Sequence, residues 1–302
     1  LRTYYQILVS DTYHPMKQFT NFMLIGNERY VAKLEAGNIY NPHRLTLPSG
    51  YRVRALAFWH DYIAIGTWQG SAITDTDNAK IFLWDGTSDT YVEPIDVPQG
   101  AINAMFGIQG RLLISAGYRG KLFEYTGGKE ALPVFKIPLA ARSDRIEIAP
   151  GSLTMWEGLV TLGVALSTDS TTIHQGVYTY GREDLDEPIS LGFDYPLSIG
   201  DQTSSSVKVG SVLARGKKLY IGWQNGTAFG LDVIDAEANP YGTATIELLI
   251  TDLQNVANVK YPLTFRVDFL PLVTGQSITL KYKPDRSSTW RTLKTQSTVG
   301  AT

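Results

Sequence analysis

Residues 53–97 read VRALAFWHDYIAIGTWQGSAITDTDNAKIFLWDGTSDTYVEPIDV, and this stretch decides the fold. Val53–Trp59 and Tyr62–Trp68 are apolar runs of strand length joined by the two-residue turn His60-Asp61. Lys80–Trp84 and Tyr91–Val97 follow, set apart by the loop 70–78 and by Asp85-Gly86-Thr87. β-Branched and aromatic residues fill the runs while Gly, Asp and Asn fill the breaks, the pattern of short antiparallel strands. The second run, Tyr62-Ile63-Ala64-Ile65-Gly66, is apolar at successive rather than alternate positions. A strand of that kind is buried on both faces.

The unit recurs along the chain. Short apolar runs end on a small residue at Gly26, Gly66, Ala116, Gly163 and Gly222, spaced about 40–60 residues apart. Four strands can be laid out around each marker. One unit uses Ile102–Ile108, Arg111–Ala116, Lys121–Tyr125 and Val134–Pro138, and the next Ser152–Trp156, Leu159–Leu166, Gly176–Tyr180 and Pro188–Phe193. Another uses Val207–Ala214, Lys218–Trp223, Ala228–Val233 and Thr243–Ile250. The first is irregular: Tyr4–Val9, Phe22–Ile25, Tyr30–Leu34 and Arg44–Leu47. Repeats of this length, each made of four short strands, are propeller blades.

The sequence therefore predicts an all-β chain: a β-propeller of about five blades over residues 1–250, or an incomplete part of a larger one. No helical period of useful length occurs. Residues 251–302 break the repeat and predict a C-terminal β-hairpin or sandwich module, with strands at Pro262–Leu270, Gln276–Lys283 and Thr289–Lys294. The alternation in Ser277-Ile278-Thr279-Leu280-Lys281-Tyr282 gives that module one wet and one packed face. The tail could equally supply a closing strand to the first unit. The start at Leu1 and the end at Thr302 fit a piece of a longer polypeptide.

Composition excludes several classes. Charged residues make up 19% of the 302, below the roughly 25% of ordinary soluble domains, which suits a surface partly covered by other proteins. A net charge of −2 gives no global basic field, so nucleic acid and anionic membrane surfaces are not expected partners. The absence of cysteine removes disulfides, thiolate metal sites and cysteine nucleophiles. No apolar stretch is long enough for a membrane-spanning helix.

Three pieces carry a family likeness: His14-Pro15-Met16 before the Phe22–Gly26 run, the Trp84-Asp85-Gly86 corner, and the tail. In the tail, Ala257-Asn258-Val259-Lys260-Tyr261 precedes Phe265–Leu270, followed by Gly275-Gln276-Ser277-Ile278, Lys281-Tyr282-Lys283 and Trp290. Together they resemble propeller-containing structural proteins of the virion, in the tail or head–neck, of tailed bacteriophages. The resemblance implies a structural or adhesive propeller, located in the virion, with other virion proteins, copies of itself or a host surface glycan as partners. It implies no catalytic residue.

Read residue by residue, the chain offers few sites. Asp61, Asp144, Glu147 and Glu157 lie near first-strand ends, where a furanosidase-type glycoside hydrolase would place its carboxylates. Polar turns also need such residues, and that reading is preferred, so the chain is not expected to be an enzyme. Asp75 and Asp77 in Thr74-Asp75-Thr76-Asp77-Asn78 resemble part of a calcium loop that lacks the Gly and the distal Glu. Asp184 and Asp186 belong to Glu183-Asp184-Leu185-Asp186-Glu187, where a cation would ease the like-charge crowding. These four are the candidate ligands of a structural Ca²⁺; no other cofactor is expected. Trp59, Trp68, Trp156 and Trp223 sit in or after first and second strands and could stack on a sugar ring, as in a lectin-like propeller, or pack between blades. The four histidines, His14, His43, His60 and His174, form no ligand pair.

Overall fold

In the computed structural model the described residues are 13–19, 21–37, 39–69, 79–108, 110–137, 145–166, 175–182, 186, 188–199, 206–236, 267, 269, 271–272, 274–283 and 289–300. They contain strands and turns and no helix. Two compact units divide the chain, residues 1–240 and 241–302.

The first unit is a five-blade propeller. Blade 1 is β1 (Met16–Phe19), β2 (Phe22–Asn27), β3 (Tyr30–Glu35) and β4 (Ile39–Thr46), paired in that order. Blade 2 is β5 (Tyr51–Trp59), β6 (Tyr62–Gln69), β7 (Ala79–Trp84) and β8 (Ile95–Val97). Blade 3 is β9 (Ile102–Ile108), β10 (Arg111–Ala116), β11 (Lys121–Tyr125) and β12 (Leu132–Lys136). In blade 4 the inner strand is split into β13 (Ile146–Glu147) and β14 (Leu153–Trp156), both against β15 (Leu159–Leu166), followed by β16 (Gly176–Gly181) and β17 (Ser190–Pro196). Blade 5 is β18 (Val207–Arg215), β19 (Lys218–Asn225) and β20 (Ala228–Asp235).

The outcome follows the repeat, with one shift in the first blade. Its inner strand is Met16–Phe19, in register with Phe22–Ile25, whereas the sequence placed it at Tyr4–Val9, outside the described residues. Thr243–Ile250, the expected fourth strand of blade 5, also lies outside them.

The two-faced second strands behave as their composition requires. Ile63 and Ile65 of β6 join a core with Leu24, Val31 and Trp84, between blades 1 and 2. Ala64, one residue out of phase, joins Ile102, Leu112 and Ile114 between blades 2 and 3. Leu113, Val160 and Leu162 fill the next gap, and Val177, Val209 and Ile221 the one after. The second strands β6 and β10 thus each feed two cores, as period-2 geometry dictates. Glycine in these strands serves close approach: a Cβ at Gly26 would lie 2.6 Å from Val53 Cγ1, and one at Gly66 2.6 Å from Ile102 Cγ2. A Cβ at Gly163 would overlap Val209 Cγ1. In each case a β-branched side chain from the next blade's inner strand enters the gap that glycine leaves.

The Trp84-Asp85-Gly86 corner closes blade 2. The Trp84 ring is fully buried and its Nε1 donates to Ser88 O at 2.7 Å. Asp85 accepts from the backbone N–H groups of Thr87 (2.8 Å) and Ser88 (2.7 Å) and from the Ser88 hydroxyl. Those bonds hold its carboxyl well below the usual carboxylate range.

In the second unit β21 (Ile278–Tyr282) pairs antiparallel with β22 (Arg291–Gln296). Ile278 and Leu280 are half-buried while Thr279 and Lys281 are exposed, which is the alternation expected from the sequence. Lys283 Nζ lies 4.9 Å from the centroid of the Trp290 ring.

Candidate functional site

Contacts between blades that are not neighbours run through the axis, and the described residues include contacts of this kind from Arg54 and from Lys17. Arg54 sits in a bulge of β5, where the register with β6 slips between Val53 and Ala55. Although buried, it reaches blade 4, donating from Nη2 to Glu147 Oε1 at 3.0 Å. Its guanidinium lies 5.0 Å from the Trp68 ring centroid and 5.7 Å from that of Tyr13. A desolvated cation between aromatic faces is stabilised by their quadrupoles. Burial raises the Tyr13 hydroxyl pKa, and the Arg54 charge opposes the shift. At β1, Lys17 reaches to Phe106 of blade 3, with Nζ 6.0 Å from the ring centroid. Loss of water around Lys17 lowers its pKa. Two cations and three aromatic rings therefore cross the region between the inner strands.

In the sequence Arg54 falls with Arg2, Arg52, Arg111 and Arg119 among basic residues that cluster with turns without forming a stripe, and that reading passes over this set. The signal was present: one charged residue in the middle of Val53-Arg54-Ala55-Leu56, where an inner strand should be apolar.

The carboxylates suspected of acid–base work do not converge. Glu147 is bound to Arg54 and pairs in register with Ala165. Glu157 lies in the turn at the other end of the same hairpin, beside Leu159. The strand between spans roughly 20 Å at about 3.3 Å per residue, against about 5–9.5 Å for a glycosidase pair. Asp61 and Glu157 are exposed turn residues of blades 2 and 4. Glu157 (φ 49°) and Gly158 (φ 83°) hold the left-handed conformation of a tight hairpin turn, as does His60 (φ 49°) beside Asp61. Asp144 is outside the described residues.

The four tryptophans are spread over three blades. Trp59 donates to Gly110 O at 3.0 Å and its ring lies 4.8 Å from Tyr125, across the gap between blades 2 and 3. Trp68 lies against Arg54. Trp156 is 4% exposed and meets Tyr195 at 5.5 Å. Trp223 donates to Asp232 Oδ1 at 2.9 Å and covers Gly230. Trp156 and Trp223 share the apolar cluster between blades 4 and 5. Of the candidate metal ligands, Asp75, Asp77 and Asp184 are outside the described residues, and Asp186 is exposed in a turn. Among the described residues no group of three acidic or histidine side chains could hold an ion. His14 Nδ1 donates to Gly26 O (3.1 Å), His43 lies 4.1 Å from the Tyr30 ring, and His174 is outside the described residues.

Two further surfaces stand out. A small groove on blade 4 is lined by Leu159, Thr179, Arg182, Ser190 and Asp194, with the Thr179 hydroxyl donating to Asp194. On the outermost strands, Ile39 of β4 and Leu132 and Val134 of β12 are exposed apolar side chains.

No protein-family model and no curated protein matches the chain. Among solved structures, the extracellular domain of a candidate one-component system from B. thetaiotaomicron aligns with 72% of this chain at 11% identity and a TM-score of 0.42. The alignment covers 32% of that protein, so the chain spans about a third of its length. A Bacteroides caccae protein of unknown function aligns over 74% of this chain and 77% of its own, at 11% identity and a TM-score of 0.44. Virginiamycin B lyase from Staphylococcus aureus aligns over 75% and 85%, at 12% identity and a TM-score of 0.38. These likenesses are loose and bear on no activity.

Proposed function

We propose that the chain is a non-enzymatic propeller that works through protein–protein contacts, as a structural or adhesive part of a tailed-phage particle. The observation that carries the non-catalytic reading is the cross-axis bond from Arg54 to Glu147. It ties blades 2 and 4 together and pairs the Glu147 carboxylate, which suits a stiff platform better than a cleft. The virion setting comes from the sequence resemblance alone. Its contact surface is the outer edge of the blades, where β4 and β12 present Ile39, Leu132 and Val134 to solvent. Exposed apolar residues on edge strands are the usual place for further association.

Light scattering and mass photometry of the full chain, with and without Leu132→Glu and Ile39→Glu, test this reading. Assemblies that fall apart in the glutamate variants support it. A monomer that turns over an aryl-arabinoside, and loses that activity in Asp61→Asn or Glu157→Gln, overturns it.

A further inference from the structure

One position on the third strand closes the outer part of each gap between blades, and blade 4 departs from the pattern. Counted from the start of each second strand, the third residue pairs with Lys33 in blade 1, Leu83 in blade 2, Glu124 in blade 3 and Thr179 in blade 4. Lys33 donates to Gly86 O of blade 2 at 3.3 Å and forms an ion pair with Glu35 at 2.7 Å. Leu83 is buried in the core between blades 2 and 3. Glu124 accepts from the Tyr180 hydroxyl of blade 4 at 2.6 Å and pairs with Arg111 at 3.2 Å. Thr179 is the shortest of the four, and its hydroxyl donates to Asp194 of its own blade. Two glycines widen the space it leaves. A Cβ at Gly181 would lie 2.7 Å from Leu159 Cδ2, and one at Gly192 3.2 Å from Asp194 Oδ1. Glycine at both places lets the leucine methyl and the carboxylate fold back against the strands. The groove on blade 4 is the result, with a volume of about 160 Å³ and a lining drawn from that blade alone.

We propose that this groove is a binding site for a single neutral sugar ring, a pyranose. The size fits, since a cavity of about 150 Å³ holds one six-membered ring. The chemistry of the lining fits as well. Asp194 can only accept hydrogen bonds and Arg182 can only donate them, while the Thr179 and Ser190 hydroxyls do both. A ligand that answers all of these carries several hydroxyl groups. Leu159 supplies the apolar contact that the C–H face of a pyranose needs. Because a carboxylate and a guanidinium both line the groove, a charged ligand of either sign would meet a like charge. That selects a neutral one. Arg182, Ser190 and Asp194 are exposed, so the ring can enter from solvent. The groove is separate from Ile39, Leu132 and Val134 on the blade edges, so this inference and the assembly reading stand or fall independently.

Saturation-transfer NMR of the full chain tests this with methyl α-glucopyranoside, methyl β-galactopyranoside and methyl α-mannopyranoside as probes. A one-ring ligand in an open groove should give a dissociation constant of about 1–10 mM for at least one of them. Sorbitol carries similar hydroxyls without the ring, and it should bind at least about ten-fold more weakly because it is not preorganised. Asp194→Ala removes the acceptor and Ser190→Leu fills the groove. Both positions are exposed, so the fold should tolerate either change, and each should weaken binding by at least about ten-fold. Absence of transfer to all of the pyranosides overturns the proposal. Binding that persists undiminished in either variant places the sugar elsewhere and overturns it too, as does sorbitol binding as tightly as the rings.

Discussion

Replacing Gly66 by alanine tests the packing rule on which the propeller rests. The new methyl would lie 2.6 Å from Ile102 Cγ2 and 2.9 Å from Met105 Cε, where carbon atoms in contact prefer about 3.5–4.0 Å. Ile102 must therefore retreat by about 1 Å, but it is fully buried within the core between blades 2 and 3. Overpacking of this kind costs about 1–3 kcal/mol, and the better strand propensity of alanine returns about 0.5–1 kcal/mol. The net loss is about 1–2 kcal/mol, a fall of about 2–8 °C in melting temperature for a unit of this size. Ile102→Ala alone opens a cavity and costs about 2–5 kcal/mol. In the double variant the methyl at residue 66 occupies part of that cavity, so the combined loss should fall short of the sum by about 1 kcal/mol or more. Urea unfolding of the four proteins measures the coupling. Additivity within about 0.5 kcal/mol would mean that Gly66 and Ile102 do not share the space, and the notch argument would fail.

Other outcomes follow from the same geometry. Glu147→Gln removes the carboxylate from a buried guanidinium and should cost about 2 kcal/mol, more than Arg54→Met, which removes the buried charge itself and leaves an exposed carboxylate; chemical denaturation of both variants checks the order. Asp85→Ala should lower the melting temperature at pH 7. Because the folded state depresses the Asp85 pKa, its contribution is complete above about pH 4 and fades as pH falls further; the gap between parent and variant should narrow in melts run towards pH 2, and a constant gap would refute the assignment. Glu157→Asn relieves a left-handed φ of 49° and should stabilise by about 0.5–1 kcal/mol; a destabilised variant would show that the Glu157 carboxylate has a structural task.

Blade architecture was legible in the sequence because it depends on local rules. Tyr62–Gly66 and Leu159–Gly163 are apolar at consecutive positions, and the structure buries both faces of each. The turns were legible for the same reason, since Gly158 and Gly226 have the positive φ that tight hairpins require. The axial set was not. Arg54 and Glu147 are 93 residues apart and meet across the propeller, and no local pattern encodes a partner at that separation. The first inner strand was misplaced because Tyr4–Val9 reads more strongly as a strand than Met16–Phe19, whose Lys17 and Gln18 dilute the pattern. Lys17 is there to cross the axis towards Phe106, so tertiary context outweighed propensity.

The arrangement also explains why glycine, a poor strand former, recurs in the most buried strand of the blades. A blade sheet has to approach its neighbour closely enough for an inner-strand Val or Ile to reach the second strand. A side chain at Gly26, Gly66 or Gly163 would prevent this. The entropic cost of glycine, about 0.5–1 kcal/mol per site, is offset by burying the whole β-branched side chain, worth about 1.5–3 kcal/mol. Since the gain exists only when the next blade is in place, stability in this fold is held between blades rather than within them.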